Sequence, residues 1–148
     1  MILLIHHADA LSPAVDPMRP LSSVGLAGAA RVAEGVAVRG AHPDVIWHSG
    51  KLRARQTAEA YWKRCNPLAA FSATRGLQPT DPTNWIVDSI AGETSHILLA
   101  GHFPQLPRLL GRLTTGNPEA DPVDFPLNGI VALEDVDGKW VERWRLNP

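Results

Sequence analysis

The sequence has little cysteine, little excess charge and no long apolar segment. Cys65 is the only cysteine in 148 residues, which excludes an internal disulfide framework and a thiolate metal cluster and suits a reducing compartment. The formal net charge is -1, so no whole-molecule field attracts nucleic acid or an anionic membrane surface. The apolar run at residues 1–5 has no basic leader and is too short for a signal-peptide core or a membrane span. The sequence therefore predicts a cytoplasmic protein that binds neither nucleic acid nor membranes.

The composition is nevertheless that of a folded protein. Hydrophobic residues make up 45% of the chain and charged residues 20%, a balance that allows a chain of this length to bury a core. No internal repeat, charge run or low-complexity stretch divides the sequence. We therefore expect a single domain over residues 1–148, acting as a monomer.

Three short apolar runs, at residues 2–5, 45–47 and 97–100, have the length of strands. They are continuously apolar, which is typical of strands covered on both faces in a parallel sheet. Asp137-Gly138 predicts a hairpin that joins residues 129–136 to residues 139–146. Apolar stripes with helical spacing separate the runs: Leu26, Ala30, Ala33 and Ala37; Ala54, Ala58, Tyr61 and Cys65; Leu106, Leu109, Leu110 and Leu113. The pattern predicts an α/β fold, a three-layer α/β/α sandwich whose central mixed sheet is mostly parallel.

Polar residues of the types that act in catalysis and ligand binding follow each of the three runs. His6 and His7 follow the first run, Arg53 comes shortly after the second, and His102 follows the third. Ligands of open α/β sheets bind at the carboxyl ends of the strands, so these side chains should meet at one edge. Histidine acts as a nucleophile or proton carrier near neutral pH, and the planar fork of arginine matches phosphate oxygens. Helices beginning just after Arg53 and His102 would add N-terminal dipoles that favour an anion.

Four segments occur in a recognisable order. An apolar strand runs into His6-His7-Ala8-Asp9, and Arg19-Pro20-Leu21-Ser22 precedes the first helix, which Ser22 or Ser23 would cap. Residues 49–58 read Ser-Gly-Lys-Leu-Arg-Ala-Arg-Gln-Thr-Ala, and the late apolar strand ends in Gly101-His102. Together they resemble the histidine phosphatase superfamily, also called phosphoglycerate mutase-like, and especially its SixA-type phosphohistidine phosphatases. The segment that contains Arg-Ala-x-Gln-Thr is the most specific of the four.

The resemblance implies a phosphoglycerate mutase-like fold and a phosphatase that needs no metal and no cofactor. His7 would attack phosphorus and become a phosphohistidine, while Arg53 would hold the phosphoryl oxygens and His102 would stabilise the developing charge. The implied phosphate-binding residues are His6, Arg53 and Arg19. The implied partner is a phosphorylated protein carrying phosphohistidine, or else a small phosphomonoester.

The sequence departs from the family beside the predicted nucleophile. The family has arginine where this chain has His6, and glycine where it has Ala8. A histidine with the ordinary pKa of about 6.5 is mostly neutral at pH 7, and losing one charge-assisted contact costs roughly 1.5–3 kcal/mol. Arg19 or Arg55 could supply the missing charge. If His6 itself carried it, activity would fall as the pH rose through the titration of His6.

Two other functions remain open. A degenerate family member would bind phosphorylated partners without turning them over, and His6 motivates this reading. A metal-dependent hydrolase would use His7, Asp9 and His102 as ligands, and a chelator would then abolish its activity.

Several other residues are candidates for lesser roles. No clear general acid stands out, so the candidates are Asp9, Asp16 and Glu93. Three histidines are expected to be structural or exposed: His42, His48 and His96. Three tryptophans are expected to pack in the core or against the hairpin: Trp85, Trp140 and Trp144.

Overall fold

The computed structural model describes residues 1–148 and contains one six-stranded sheet and four helices. The strands are β1 Ile2–His6, β2 Val45–His48, β3 Ala70–Ala73, β4 Ile97–Gly101, β5 Ile130–Val136 and β6 Lys139–Leu146. The helices are α1 Ser23–Ala37, α2 Leu52–Cys65, α3 Thr83–Ala91 and α4 Gln105–Thr115. None of the helices has the length and apolar character that a membrane crossing requires.

The strands follow the order β3-β2-β4-β1-β5-β6 across the sheet. Neighbours from β3 to β1 run parallel, whereas β5 and β6 form an antiparallel hairpin at the other side. The predicted three-layer fold with a mostly parallel, mixed sheet is therefore confirmed.

Both faces of the sheet are covered, which explains the continuously apolar strands. In β1, Leu3 and Ile5 join the core under α1 and α2, while Ile2 and Leu4 join the core under α3 and α4. All five residues of β1 and all five of β4 are buried. The two central strands are thus inaccessible to solvent along their length, and only the loops at their ends reach the surface.

The predicted stripes of α2 and α4 are buried as expected, but the predicted face of α1 is wrong. Leu26 is 52% exposed, and the buried face is rotated by one residue to Gly25, Gly28, Ala29, Val32, Ala33 and Val36. The reason is the close approach of the loop after β1. Gly25 packs so near Asp9 that an added Cβ would overlap the Asp9 carbonyl oxygen. Glycines in the first half of α1 and valines in the second half therefore mark its packed face.

The helix starts also differ from expectation in one case. Ser22 is the N-cap of α1 and accepts a hydrogen bond from the Gly25 N–H at 3.0 Å, as one of the two predicted caps. Pro104 immediately precedes α4, where its missing N–H leaves no helical hydrogen bond unmade. However, α2 begins at Leu52, so Arg53 lies inside the first turn of the helix and not before it.

Gly25 offers a test of the packing between α1 and the loop after β1. Gly25→Ala should destabilise the protein by about 2 kcal/mol, because overpacked methyl groups typically cost 1–3 kcal/mol. Gly28→Ala is the matched control in the same helix, since its added Cβ would meet no atom closer than 3.8 Å. The control should be neutral or gain up to about 1 kcal/mol of helix propensity. Urea unfolding measures both, and equal stabilities for the two variants would contradict this packing.

Candidate active site

The carboxyl ends of β1, β2 and β4 bring the predicted site residues together. His6 of β1 pairs with Gly101 of β4, and His48 of β2 pairs with Ala100. The ring centroids of His7 and His102 are 5.1 Å apart, and those of His6 and His7 are 4.4 Å apart. Residues that are far apart in sequence therefore form one cluster at this edge of the sheet.

The His7 imidazole is held in one tautomer by the chain itself. Its Nδ1 lies 2.8 Å from the Ala8 carbonyl oxygen, which can only accept, so Nδ1 carries the proton. The lone pair is then on Nε2. Burial lowers the pKa of His7, and the charges of Arg53 and Arg19 lower it further, against the opposing effect of the Ala8 hydrogen bond. His7 is therefore a neutral imidazole with Nε2 as its basic atom, the form that a nucleophile requires.

Two side chains hold the backbone around His7, and a third holds the segment that follows Arg19. Thr57 Oγ1 accepts the Ala8 N–H at 2.9 Å and donates to the Arg53 carbonyl at 2.8 Å. Asn128 Nδ2 donates to the His7 carbonyl at 2.7 Å. Gln56 Oε1 accepts the Leu21 N–H at 2.8 Å, which fixes the segment that follows Arg19. The Gln-Thr pair of the motif in α2 thus ties the two neighbouring loops to the helix that carries Arg53.

His102 is 1% exposed and is oriented by Ser49. Ser49 Oγ lies 2.6 Å from His102 Nε2 and also accepts the Lys51 N–H at 3.3 Å, which favours donation of its own hydrogen to Nε2. In that tautomer Nδ1 carries the proton, and Nδ1 is buried without a hydrogen-bond partner. Burial, more than the nearby charges, lowers the pKa of His102 to about 2. His102 is thus a neutral donor with an unused N–H.

Arg53 and Arg19 supply positive charge that no carboxylate neutralises. Neither arginine takes part in any of the ion pairs of the structure. Arg53 Nε is buried without a partner, and both burial and the charge of Arg19 lower the pKa of Arg53. Arg19 has a positive φ of 48° and donates from Nε to the Leu11 carbonyl at 3.1 Å, which leaves its terminal nitrogens unbonded. Two uncompensated arginines beside an unused histidine N–H form a site for an oxyanion.

His6 cannot supply the positive charge of the arginine that it replaces. It is 5% exposed, stacks on Phe103 with ring centroids 4.0 Å apart, and accepts the Asn128 N–H at Nδ1. Burial, followed by the charges of His7 and Arg53, lowers the pKa of His6 to about 3. The burial of His6 therefore argues against an activity that follows a His6 titration near neutral pH. As a neutral ring, His6 retains only its Nε2–H as a donor.

The other candidates, for the missing charge and for a general acid, lie in different parts of the structure. Arg55 is exposed on α2 and pairs with Glu59 at 3.1 Å, so it does not replace the missing charge. Glu93 follows α3, before β4 begins, and therefore lies at the opposite edge of the sheet. The Asp16 carboxylate accepts the Met18 N–H within its own turn. Asp9, whose charge acts on His7, is the one acidic candidate beside His7, and it accepts a hydrogen bond from Ser22.

The other histidines and tryptophans mostly lie where the sequence predicted. His42 and His96 are exposed, and the buried His48 accepts the Gly50 N–H. Trp140 and Trp144 pack from the hairpin against the two cores. Trp85 differs, because it lines a surface groove and contributes to neither core.

The metal alternative finds no support in the arrangement of side chains. No group of three or more histidine, cysteine, aspartate or glutamate side chains is placed to hold a metal ion. The largest surface cavity, about 610 Å³, lies between α3, α4 and residues 118–122 and contains no histidine. The cluster around His7 therefore lies apart from this cavity.

The sequence analysis did not identify four residues that shape this cluster: Ser49, Thr57, Phe103 and Asn128. Ser49 and Thr57 lie within the motif at residues 49–58, which was a signal that they belong to the site. Their hydrogen-bond partners, however, become visible only in the three-dimensional structure. Asn128 has a positive φ of 55°, a conformation that asparagine tolerates better than most residues, and nothing in the sequence marks its contact with the nucleophile loop.

The state of the buried histidines can be tested by NMR. His6 and His102 should stay neutral from pH 8 to pH 5, because their pKa values of about 3 and about 2 lie below this range. Their ring C–H shifts, assigned with single-histidine variants, should therefore remain constant where a model peptide titrates near 6.5. A midpoint near 6.5 for His6 would restore it as a cation and contradict the burial argument.

No protein-family model matches this sequence, and no curated protein sequence matches it significantly. Solved structures do match. The protein histidine phosphatase SixA, complexed with tungstate, has a TM-score of 0.84 at 22% identity, with 99% of this chain and 96% of that chain covered. The protein assigned as phosphohistidine phosphatase SixA from Agrobacterium tumefaciens has a TM-score of 0.78 at 26% identity, with 99% and 97% covered. The protein assigned as SixA from Nakamurella multipartitia has a TM-score of 0.73 at 21% identity, with 99% of this chain and 95% of that chain covered. The chain therefore has the fold of the SixA-type members of the histidine phosphatase superfamily, and the resemblance predicted from its four sequence segments is confirmed at the level of the whole fold.

Proposed function

We propose that this chain is a phosphatase that transfers a phosphoryl group to His7 Nε2 and then to water. The observation that carries the proposal is the hydrogen bond from His7 Nδ1 to the Ala8 carbonyl, which leaves Nε2 as the nucleophilic atom. Unused donors and unpaired charge surround this ring, at His102 Nδ1 and on Arg53 and Arg19. The likeness to SixA, a histidine phosphatase complexed with the oxyanion tungstate, supports the same reading.

The reaction has two displacements. In the first, the Nε2 lone pair forms a bond to phosphorus, the bond to the leaving group breaks, and the leaving group keeps that electron pair and gains a proton. In the second, water attacks phosphorus, the N–P bond breaks, and phosphate is released. Arg53 and Arg19 would neutralise the phosphoryl oxygens, and the N–H groups of His102 and His6 would donate to them.

The lack of a dedicated acid favours phosphohistidine as the substrate. Asp9 is exposed and bonded to Ser22, so no buried carboxylic acid stands ready to protonate an alkoxide. The second ring nitrogen of a phosphohistidine can take up a proton from water, as an imidazole does near its ordinary pKa of about 6.5. A neutral imidazole then leaves with the electron pair of the broken N–P bond, and no carboxylic acid is needed at that nitrogen. The transfer then runs between two imidazoles, and the preferred substrate is a phosphorylated protein, not a small alkyl phosphomonoester.

A second candidate function is binding of phosphorylated partners without turnover. It is favoured by the neutral His6 in place of the family arginine, which removes one charged contact from the transition state. The two candidates differ in one observable, because only the phosphatase releases inorganic phosphate.

Substitution of His7 tests the proposed nucleophile. His7→Ala should abolish phosphate release from a phosphohistidine peptide, whereas His42→Ala, a change of an exposed histidine outside the cluster, should leave it intact. A chelator should have no effect on the wild-type rate. Phosphate release by His7→Ala at the wild-type rate would refute the covalent mechanism, and tight binding with no release by the wild type would establish the second candidate.

Substitution of Arg19 tests which residue supplies the positive charge that His6 lacks. Arg19→Ala should lower kcat/KM by about one to two powers of ten, the effect of losing one charge-assisted contact in the transition state. Arg55→Ala is the matched control and should change little, because Arg55 pairs with Glu59 on the surface. His6→Arg should restore activity to the Arg19→Ala variant. Equal losses in Arg19→Ala and Arg55→Ala would show that Arg19 does not contact the phosphoryl group.

A further inference from the structure

A groove of about 360 Å³ opens beside the phosphate cluster. It runs over the segment that joins β3 to α3 and is lined by Ser49, Thr74, Arg75, Gln78, Asp81 and Trp85. Ser49 belongs to both sites, because its Oγ lies 2.6 Å from His102 Nε2. The groove therefore adjoins the cluster through Ser49.

The groove is held in shape by hydrogen bonds. Asp81 Oδ2 accepts the Gly76 N–H at 3.1 Å and the Gln78 N–H at 3.0 Å, while Gln78 Nε2 donates to the Ser49 carbonyl at 2.8 Å. Gly76 has a φ of +100°, and an added Cβ there would lie 2.7 Å from the Ile86 nitrogen. The buried Gln105 donates to the Gly76 carbonyl from the start of α4. These contacts connect the groove to the loop after β2, which carries Ser49, and to the start of α4. The groove is therefore formed before any ligand binds.

Arg75 is the charged side chain of the groove that has neither a hydrogen-bond nor an ion-pair partner. The Arg75 guanidinium lies 3.6 Å from the centroid of the Trp85 ring and takes part in no ion pair. Asp81 also lines the groove, and its Oδ2 accepts two backbone N–H groups, which turns this carboxylate toward the backbone of its own segment and not toward an ion pair with Arg75. An arginine stacked on an aromatic face keeps the N–H groups along its edge for an acceptor in its own plane. A carboxylate, with two oxygens in one plane, matches that edge.

We propose that this groove binds the polypeptide that flanks the phosphorylated residue, and that Arg75 on Trp85 receives the carboxylate of an Asp or Glu side chain there. The proposal rests on the proposed function, since the phosphoryl group of the same polypeptide occupies the cluster around His7. A polypeptide fits better than a small phosphomonoester, which would fill the cluster and leave the groove empty. The groove volume falls within the roughly 300–1,000 Å³ typical of ligand sites.

The test compares phosphohistidine peptides that carry either Glu or Gln at the positions flanking the phosphorylated residue. At one flanking position, the Glu peptide should have a kcat/KM about fivefold higher, as expected for a partly exposed ion pair. Arg75→Ala should remove this preference and leave turnover of phosphoramidate, which is too small to reach the groove, unchanged. Arg75→Lys should retain part of the preference. Arg39→Ala is the matched control, since Arg39 also faces a tryptophan, Trp144, at 5.3 Å but follows α1 at the opposite edge of the sheet.

Binding of the same peptides to His7→Ala separates the two proposals. If the wild type releases no phosphate but His7→Ala binds the Glu peptide more tightly and Arg75→Ala in that background loses the difference, the subsite stands and the phosphatase proposal fails. If Glu and Gln peptides bind equally at every position, or if the preference survives Arg75→Ala, the subsite proposal is overturned whatever the turnover.

Discussion

The parallel pairing of β2, β4 and β1 is the constraint on which the site depends. Because the three strands run in the same direction and in register, His48, Ala100–Gly101 and His6 end at the same edge of the sheet. The loops that leave this edge carry Ser49, His102 and His7, which are distant in sequence. Burial of β1 and β4 along their whole length makes this edge hard to shift without exposing the core.

Burial also sets the electrostatics of the site. The same packing that fixes the strand ends removes water from the imidazoles, so the pKa values of His6, His7 and His102 are all lowered. Neutral histidines can act as nucleophile and donors, but they cannot neutralise a phosphoryl group. Arg53 and Arg19 are the positively charged side chains whose charges act on this site, and neither finds a carboxylate partner. In this chain the positive charges of the site are therefore carried by Arg53 and Arg19, and not by His6, the residue before His7.

The sequence predicted the parts of the fold that have a strong local pattern. The buried strands β1, β2 and β4, the hairpin and the stripes of α2 and α4 all follow from continuous or periodic apolar residues. The missed elements lack such a pattern, since β3 is a four-residue edge strand with no buried residue and α3 buries only Ile86 and Ile90. Strand ends and motif together predicted His7, Arg53 and His102 as site residues, and the structure places them near one another. The tautomers, the unused donors and the stacking of His6 on Phe103 depend on contacts between distant segments, which no local pattern encodes.

The most direct test of the account is to identify the atom of His7 that carries the phosphoryl group. The Ala8 carbonyl occupies Nδ1, so the account predicts phosphorylation at Nε2. Protein quenched during turnover of a phosphohistidine peptide, and analysed by mass spectrometry for the residue and by phosphorus NMR for the ring nitrogen, provides the answer. Phosphorylation at Nε2 of His7 would support the account, whereas phosphorylation at Nδ1 or at another histidine would contradict it.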